Sequence, residues 1–91
     1  MYIVVCYDIV DDKKRQRLAK LMKGYGERVQ KSVFECRLDD GKYLKMKQEI
    51  EKLIDWEDDS VRYYNLCRGC AKNVAISGCG VVREEDDVIV V

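Results

Sequence analysis

The sequence predicts an α+β fold, two helices laid on an antiparallel sheet, and three observations lead there. Two segments carry apolar residues at helical spacing, and the stretches around them are short β-branched and aromatic runs that read as strands. The chain has 91 residues, enough for one domain with one modest core and too few for two. A composition of 47% hydrophobic and 37% charged residues belongs to a globular chain and not to a disordered one.

Met1–Tyr7 is a continuous apolar run, the pattern of a strand buried on both faces. Asp11 or Asp12 is placed to cap the helix that follows, because a carboxylate accepts its unpaired N–H groups. In that helix Leu18, Leu21, Met22 and Tyr25 form one apolar stripe, and Gly24 and Gly26 supply the stop. Glu27–Leu38 reads as strand with a slip of phase: Val29 and Val33 share one face, whereas Phe34, Cys36 and Leu38 take the other. Such a slip implies a bulge, a bend or two short strands. The run "DDGK" at 39–42 is a turn that caps a second helix, whose stripe is Tyr43, Met46, Ile50, Leu53 and Ile54. The acidic "DWEDD" at 55–59 is a loop. Three strands follow, "VRYYNLC" at 61–67, "NVAISG" at 73–78 and "DVIVV" at 87–91.

This order fits a single ferredoxin-like domain over residues 1–91, β-α-β-β-α-β, with an extra C-terminal strand in an extension at residues 80–91. Two helices cover one face of such a sheet and leave the other bare, so dimerisation through the sheet is expected. The terminal "VIVV", set off by "REEDD", reads as an edge strand able to pair with a partner chain.

Absences narrow the chemistry. The chain has no His, which removes Ser-His-Asp, Cys-His and His-metal mechanisms together. It has no Pro, in keeping with short regular connections. Nothing resembles a secretory signal, and no stretch approaches the roughly 20 apolar residues of a membrane span. The five Cys are an odd count, and the expectation is a cytoplasmic protein with mostly reduced thiols and no membrane association.

Net charge is zero, yet the charges are segregated. Nine basic residues lie from Lys13 to Arg37, with only Glu27 and Glu35 among them. Such a patch is either a solvated helix face or a footprint for phosphates. Asp8 ends the first strand, where side chains converge into sites. It is either a capping carboxylate, a role for which Asp11 and Asp12 compete, or a metal ligand. A lone carboxylate is a poor Mg²⁺ site, although Mg²⁺ keeps several waters and uses only one or two carboxylates. Two copies of Asp8 meeting on a twofold axis would supply both, and a metal there would activate water against a phosphodiester.

Cys67-Arg-Gly-Cys70, with Cys79 beyond, competes as a metal or redox feature. Structural zinc wants four ligands, for which Cys36 would have to come close, so a loop thiol pair or incidental disulfide is favoured. Tyr63 and Tyr64 face opposite ways, so at most one could stack a base. Ser32 lacks a visible base.

The stretch "YIVVCYDIVDDKKRQRLAKLMKGYGERVQKSVFEC" resembles the small CRISPR-associated adaptation nuclease family, the second of the two near-universal adaptation proteins. The similarity rests on a strand ending Tyr7-Asp8-Ile9, a basic helix with Arg15 and Arg17, then "RVQKSVFEC", a second helix and the late "VRYYNLC". It implies a ferredoxin-like homodimer, a Mg²⁺-dependent endonuclease on RNA or double-stranded DNA. It also implies work beside the larger adaptation integrase in spacer acquisition for antiviral defence. By the same resemblance Asp8 is the catalytic and metal residue, and Tyr7, Arg15, Arg17, Arg28 and Phe34 support the site. Nucleic acid would be held by Lys13, Lys14, Arg15, Arg17 and Lys20, and residues near Val88–Val91 would make dimer or partner contacts. A second reading is a non-catalytic scaffold that bridges integrase units across DNA.

Overall fold

The computed structural model describes residues 1–66, Ala75, Ser77 and the strand segments 81–83 and 88–90. In order come β1 (Tyr2–Asp8), α1 (Asp12–Met22), β2 (Gly26–Gln30), β3 (Val33–Arg37), α2 (Asp40–Leu53) and β4 (Ser60–Leu66). The four strands form one antiparallel sheet in the spatial order β2-β3-β1-β4, which is the predicted ferredoxin-like plan. β1 is central and pairs along its length with both neighbours, Val5 opposite Phe34 on one side and Tyr63 on the other.

The phase slip at 27–38 resolves into two strands. β2 and β3 are joined through Lys31–Ser32, and their register shifts between Arg28 and Gln30. Gly26 opens β2 because a side chain there would collide with the Glu35 carbonyl and the Cys36 sulfur.

Period-2 alternation in β1 decides the core. Ile3, Val5 and Tyr7 are buried with Leu18, Ala19 and Met22 of α1, Phe34 and Cys36 of β3, and Met46 and Ile50 of α2. Each large apolar side chain there contributes about 1.5–3 kcal/mol by burial, more than the roughly 1 kcal/mol of a helix cap. The packing of the two stripes therefore sets where the helices lie. Within one chain both helices pack on one side of β1, leaving the other face open as the two-helix plan predicts; burial of β1 on both faces would take a partner. On the other side Val4 and Cys6 are half-buried and Tyr64 is 48% exposed.

The caps fall on the first aspartate of each pair. Asp11 accepts from the Lys14 N–H at 3.0 Å and Asp39 from the Lys42 N–H at 2.8 Å. Asp12 lies within the first turn and pairs with Arg15 on the surface.

Beyond the main sheet, β5 (Val81–Arg83) and β6 (Val88–Val90) form a separate antiparallel pair, Val81 opposite Val90. The terminal strand is thus present and pairs within its own chain, with β5, a strand the sequence reading missed. The expected strand at 73–78 does not include Ala75 or Ser77, which have no strand conformation. Its other residues lie outside the described ones, as do Cys67, Cys70, Cys79 and Val91.

Candidate active site

Asp8 closes β1. Its backbone pairs with Ser60 of β4, and the preceding residue is held on the other side by a hydrogen bond from the Tyr7 N–H to the Ser32 carbonyl at 3.0 Å. The Asp8 side chain is exposed, and no hydrogen bond or ion pair joins its carboxylate to another described residue. Capping is done by Asp11, so Asp8 has no structural task of that kind.

Asp8 stands on the rim between two clefts. One, of about 450 Å³, lies between α1 and the β2–β3 turn and is lined by Tyr7, Asp8, Arg15, Arg28, Lys31 and Ser32 among others. The second, of about 310 Å³, opens on the bare face of the sheet between Cys6, Asp8, Ser60, Arg62 and Tyr64. The first gathers four residues named from the sequence: Tyr7, Asp8, Arg15 and Arg28.

The two arginines in it are turned to backbone carbonyls. Arg15 donates from Nη1 to the Ile9 carbonyl at 3.1 Å and pairs through its other terminal nitrogen with Asp12. Arg28 donates from Nε and Nη2 to the Lys31 carbonyl at 3.1 and 2.7 Å, and the Tyr7 hydroxyl donates to that same oxygen at 3.2 Å. Tyr7 stacks on Phe34, ring centres 6.2 Å apart, and the Arg28 guanidinium lies 5.9 Å from the Phe34 ring centre. Phe34 is fully buried and supports the wall from beneath. Tyr7, Arg28 and Phe34 thus build one side of the cleft, while Arg15 secures the chain just after Asp8.

Lys13, Arg15, Arg17 and Lys20 are exposed on α1 and Lys14 is half-buried. Of these only Arg15 lines the cleft, and no ion pair among the described residues involves Arg17 or Lys31. Two residues near Asp8 escaped the sequence reading, and a third, Lys31, was counted only as part of the basic patch. Lys31 sits at the β2–β3 turn, visible only once the run 27–38 is split. Arg62 lies opposite Cys6, and Tyr64 hydrogen-bonded to it raises its pKa. Asp59 lay unremarked in the acidic loop; two backbone N–H groups, first that of Asp55 and then that of Val10, hold its carboxyl below the usual range.

Cys36, weighed as a fourth metal ligand, is buried in the core, and burial pushes its thiol up to about 11. That opposes the thiolate a metal requires. Among the described residues no group of three or more His, Cys, Asp or Glu converges, and no helix is long and apolar enough to cross a membrane.

Fold and site define a ferredoxin-like domain that presents one strand-end carboxylate beside a cationic helix. The chain belongs to the family described as CRISPR associated protein Cas2, which matches residues 1–74, and the resemblance read from the sequence is borne out. It is 43% identical over 81 residues to the CRISPR-associated endoribonuclease Cas2 1 of Chloroflexus aurantiacus, covering 88% of this chain and 87% of that one. It is 47% identical over 66 residues to the CRISPR-associated endoribonuclease Cas2 of Thermus thermophilus, covering 72% and 70%. Among solved structures it resembles Streptococcus pyogenes Cas2, with a TM-score of 0.76 and 34% identity over 86% of this chain and all of that one. A chain in a structure described as a partial Cas6-RT-Cas1--Cas2 complex has a TM-score of 0.72 and 30% identity, covering 82% and 88%.

Proposed function

We propose that the protein is a metal-dependent endonuclease of CRISPR adaptation that cleaves phosphodiester bonds of RNA or double-stranded DNA. It works as a homodimer beside the adaptation integrase in spacer acquisition, and Asp8 is its catalytic metal ligand. The observation that carries this reading is Asp8 itself: an exposed carboxylate without a partner among the described residues, on the rim of a cleft walled by cations. Relatives named as endoribonucleases support the activity, and a similar chain in a complex with Cas1 supports the integrase as partner.

The donor chemistry fits Mg²⁺. A carboxylate oxygen is the hard ligand that ion prefers, one or two carboxylates suffice, and phosphate oxygens and water complete the set. One chain offers one such carboxylate, and a second copy related by a twofold axis, docked through the bare sheet face, would offer the other. When bound, the metal supplies charge that activates water and offsets the charge of the scissile phosphate.

The chain's own residues bind and orient. The exposed cations Lys13, Arg17 and Lys20 on α1 attract the nucleic-acid backbone, and Lys31 is placed to hold a phosphate in the cleft beside Asp8. Tyr7, Arg28 and Phe34 keep that wall in place, and Arg15 fixes the Ile9 carbonyl so that the chain leaves Asp8 in one direction.

Asp8→Asn tests the reading. Mg²⁺-dependent cleavage of RNA or duplex DNA is expected to fall by at least about 100-fold, with duplex affinity and thermal stability unchanged. Cleavage that survives the substitution, or survives chelation, overturns the assignment. The scaffold reading draws on the single carboxylate per chain and on the engagement of Arg15 and Arg28 with backbone. A wild-type protein that binds duplex and cleaves nothing in Mg²⁺ would establish it instead.

A further inference from the structure

We infer that Asp59 is a positioning residue for Asp8, acting through the backbone amide of Val10. Asp59 immediately precedes β4, whose first residue, Ser60, pairs with Asp8. Its carboxylate bridges two segments far apart in the chain. Oδ1 accepts from the Val10 N–H at 3.0 Å, and Oδ2 accepts from the Asp55 N–H at 2.8 Å. The loop beneath it is closed by further bonds, the Asp59 N–H to the Asp55 carbonyl at 2.8 Å and the Glu57 N–H to Asp55 Oδ1 at 2.9 Å. The carboxylate is therefore aimed at Val10 by a rigid turn.

Asp8 needs such a brace. It is the last paired residue of β1, and the three residues before α1 have no ladder to hold them. The Val10 side chain is 69% exposed and gives little packing. Ile9 is buried, and Arg15 holds its carbonyl. Asp59, in the loop just before β4, secures the N–H end of that same Ile9–Val10 peptide. An N–H bonded to a carboxylate is among the stronger hydrogen bonds a backbone makes, and the two bonds, one to each oxygen, fix the orientation of the Asp59 carboxylate. Its part is to fix where the Asp8 backbone ends, hence the directions its carboxylate can take.

The inference rests on the reading of Asp8 as a metal ligand, and the experiment separates the two. Amide exchange at Val10 is measured in the full chain, together with the midpoint at which Mn²⁺ alone broadens the Asp8 and Ile9 amide signals. In Asp59→Ala, Val10 exchange is expected to quicken at least about tenfold and the Mn²⁺ midpoint to rise about tenfold or more, the size of effect that outer-shell partners have on metal sites. Asp59→Asn keeps an oxygen for the Val10 N–H but turns its amide N–H₂ toward the Asp55 N–H, so it should recover only part of both. Asp55→Ala removes only the bond from the Glu57 N–H to Asp55 Oδ1 and keeps the Asp55 backbone groups that aim Asp59 at Val10, so its Mn²⁺ midpoint should stay at the wild-type value. A midpoint unmoved in Asp59→Ala, or moved equally by Asp55→Ala, overturns the positioning role. If the wild-type signals show no Mn²⁺ broadening, the metal reading of Asp8 falls. The brace is then decided by Val10 exchange alone, and unchanged exchange in Asp59→Ala overturns it.

Discussion

Arg28 holds the carbonyl of Lys31 with two donors, Nε at 3.1 Å and Nη2 at 2.7 Å. This closes the turn between β2 and β3 with the fork of a single guanidinium. A lysine cannot reproduce that fork. Arg28→Lys and Arg28→Ala are both expected to lower stability by about 1 kcal/mol, because the bonds are charge-assisted yet sit at the surface. Urea denaturation checks this. The salt dependence of duplex binding should be the same in Arg28→Lys as in the wild type, since the lysine keeps the positive charge.

Arg17 makes the contrasting case. It is exposed on α1, outside the cleft, with no ion pair among the described residues. Duplex affinity should fall steeply with salt in the wild type, and Arg17→Ala should reduce the slope of log K against log salt by about one. Flat salt dependence in the wild type would show that the α1 cations are a solvated face and not a phosphate track.

The fold was legible because periodicity reports burial. The stripes at 18–25 and 43–54 and the run 1–7 mark the two helices and the central strand, although Tyr25 and Ile54 fall just past the helix ends. The phase slip at 27–38 carried its own explanation, a turn at Lys31–Ser32. A run such as Ile3-Val4-Val5 reads alike whether one face is packed or two, and only the count of two helices pointed to the bare face. Asp8 could be singled out because Asp11 already accounts for capping. Roles resting on side chain to backbone bonds were hidden: nothing local marks Arg15 for the Ile9 carbonyl or Asp59 for the Val10 amide, 49 residues away. The bonds of Arg15 to the Ile9 carbonyl and of Arg28 to the Lys31 carbonyl come from the fold and leave no mark in the sequence.

Asp59 also sets an acid limit on stability. Backbone N–H groups of Asp55 and Val10, with Lys14 nearby, favour its charged form and lower its pKa in the fold. A carboxyl lowered in this way adds stability that is fully present above its unfolded pKa, near 4, and is lost as pH falls through the folded value. The difference in urea midpoint between wild type and Asp59→Ala is expected to be constant from about pH 7 to pH 5 and to shrink below about pH 4. A difference that persists undiminished to the lowest pH at which both proteins fold would show that packing, and not the charged carboxylate, accounts for the effect.

Tyr7 in the core and Tyr63, partly buried against it, make opposite forecasts for the same substitution. The Tyr7 hydroxyl donates to the Lys31 carbonyl, whereas the Tyr63 hydroxyl is buried with no hydrogen-bond partner among the described residues, and burial pushes its pKa up to about 12. The Tyr63 ring is otherwise well placed: edge-on to Tyr43 with centres 6.1 Å apart, and 5.6 Å from the Lys47 ammonium. Phenylalanine keeps those ring contacts. It also removes a hydroxyl whose desolvation nothing offsets, a penalty of about 1–3 kcal/mol when a buried polar group is left unmet. Tyr63→Phe is therefore expected to raise stability by up to about 1 kcal/mol, seen as a higher urea midpoint with an unchanged m-value. Tyr7→Phe should lower stability by about the same amount, because there the exchange leaves the turn carbonyl with one donor fewer. Should Tyr63→Phe prove destabilising, its hydroxyl has a partner in solution, and the core around β4 is wetter than its packing implies.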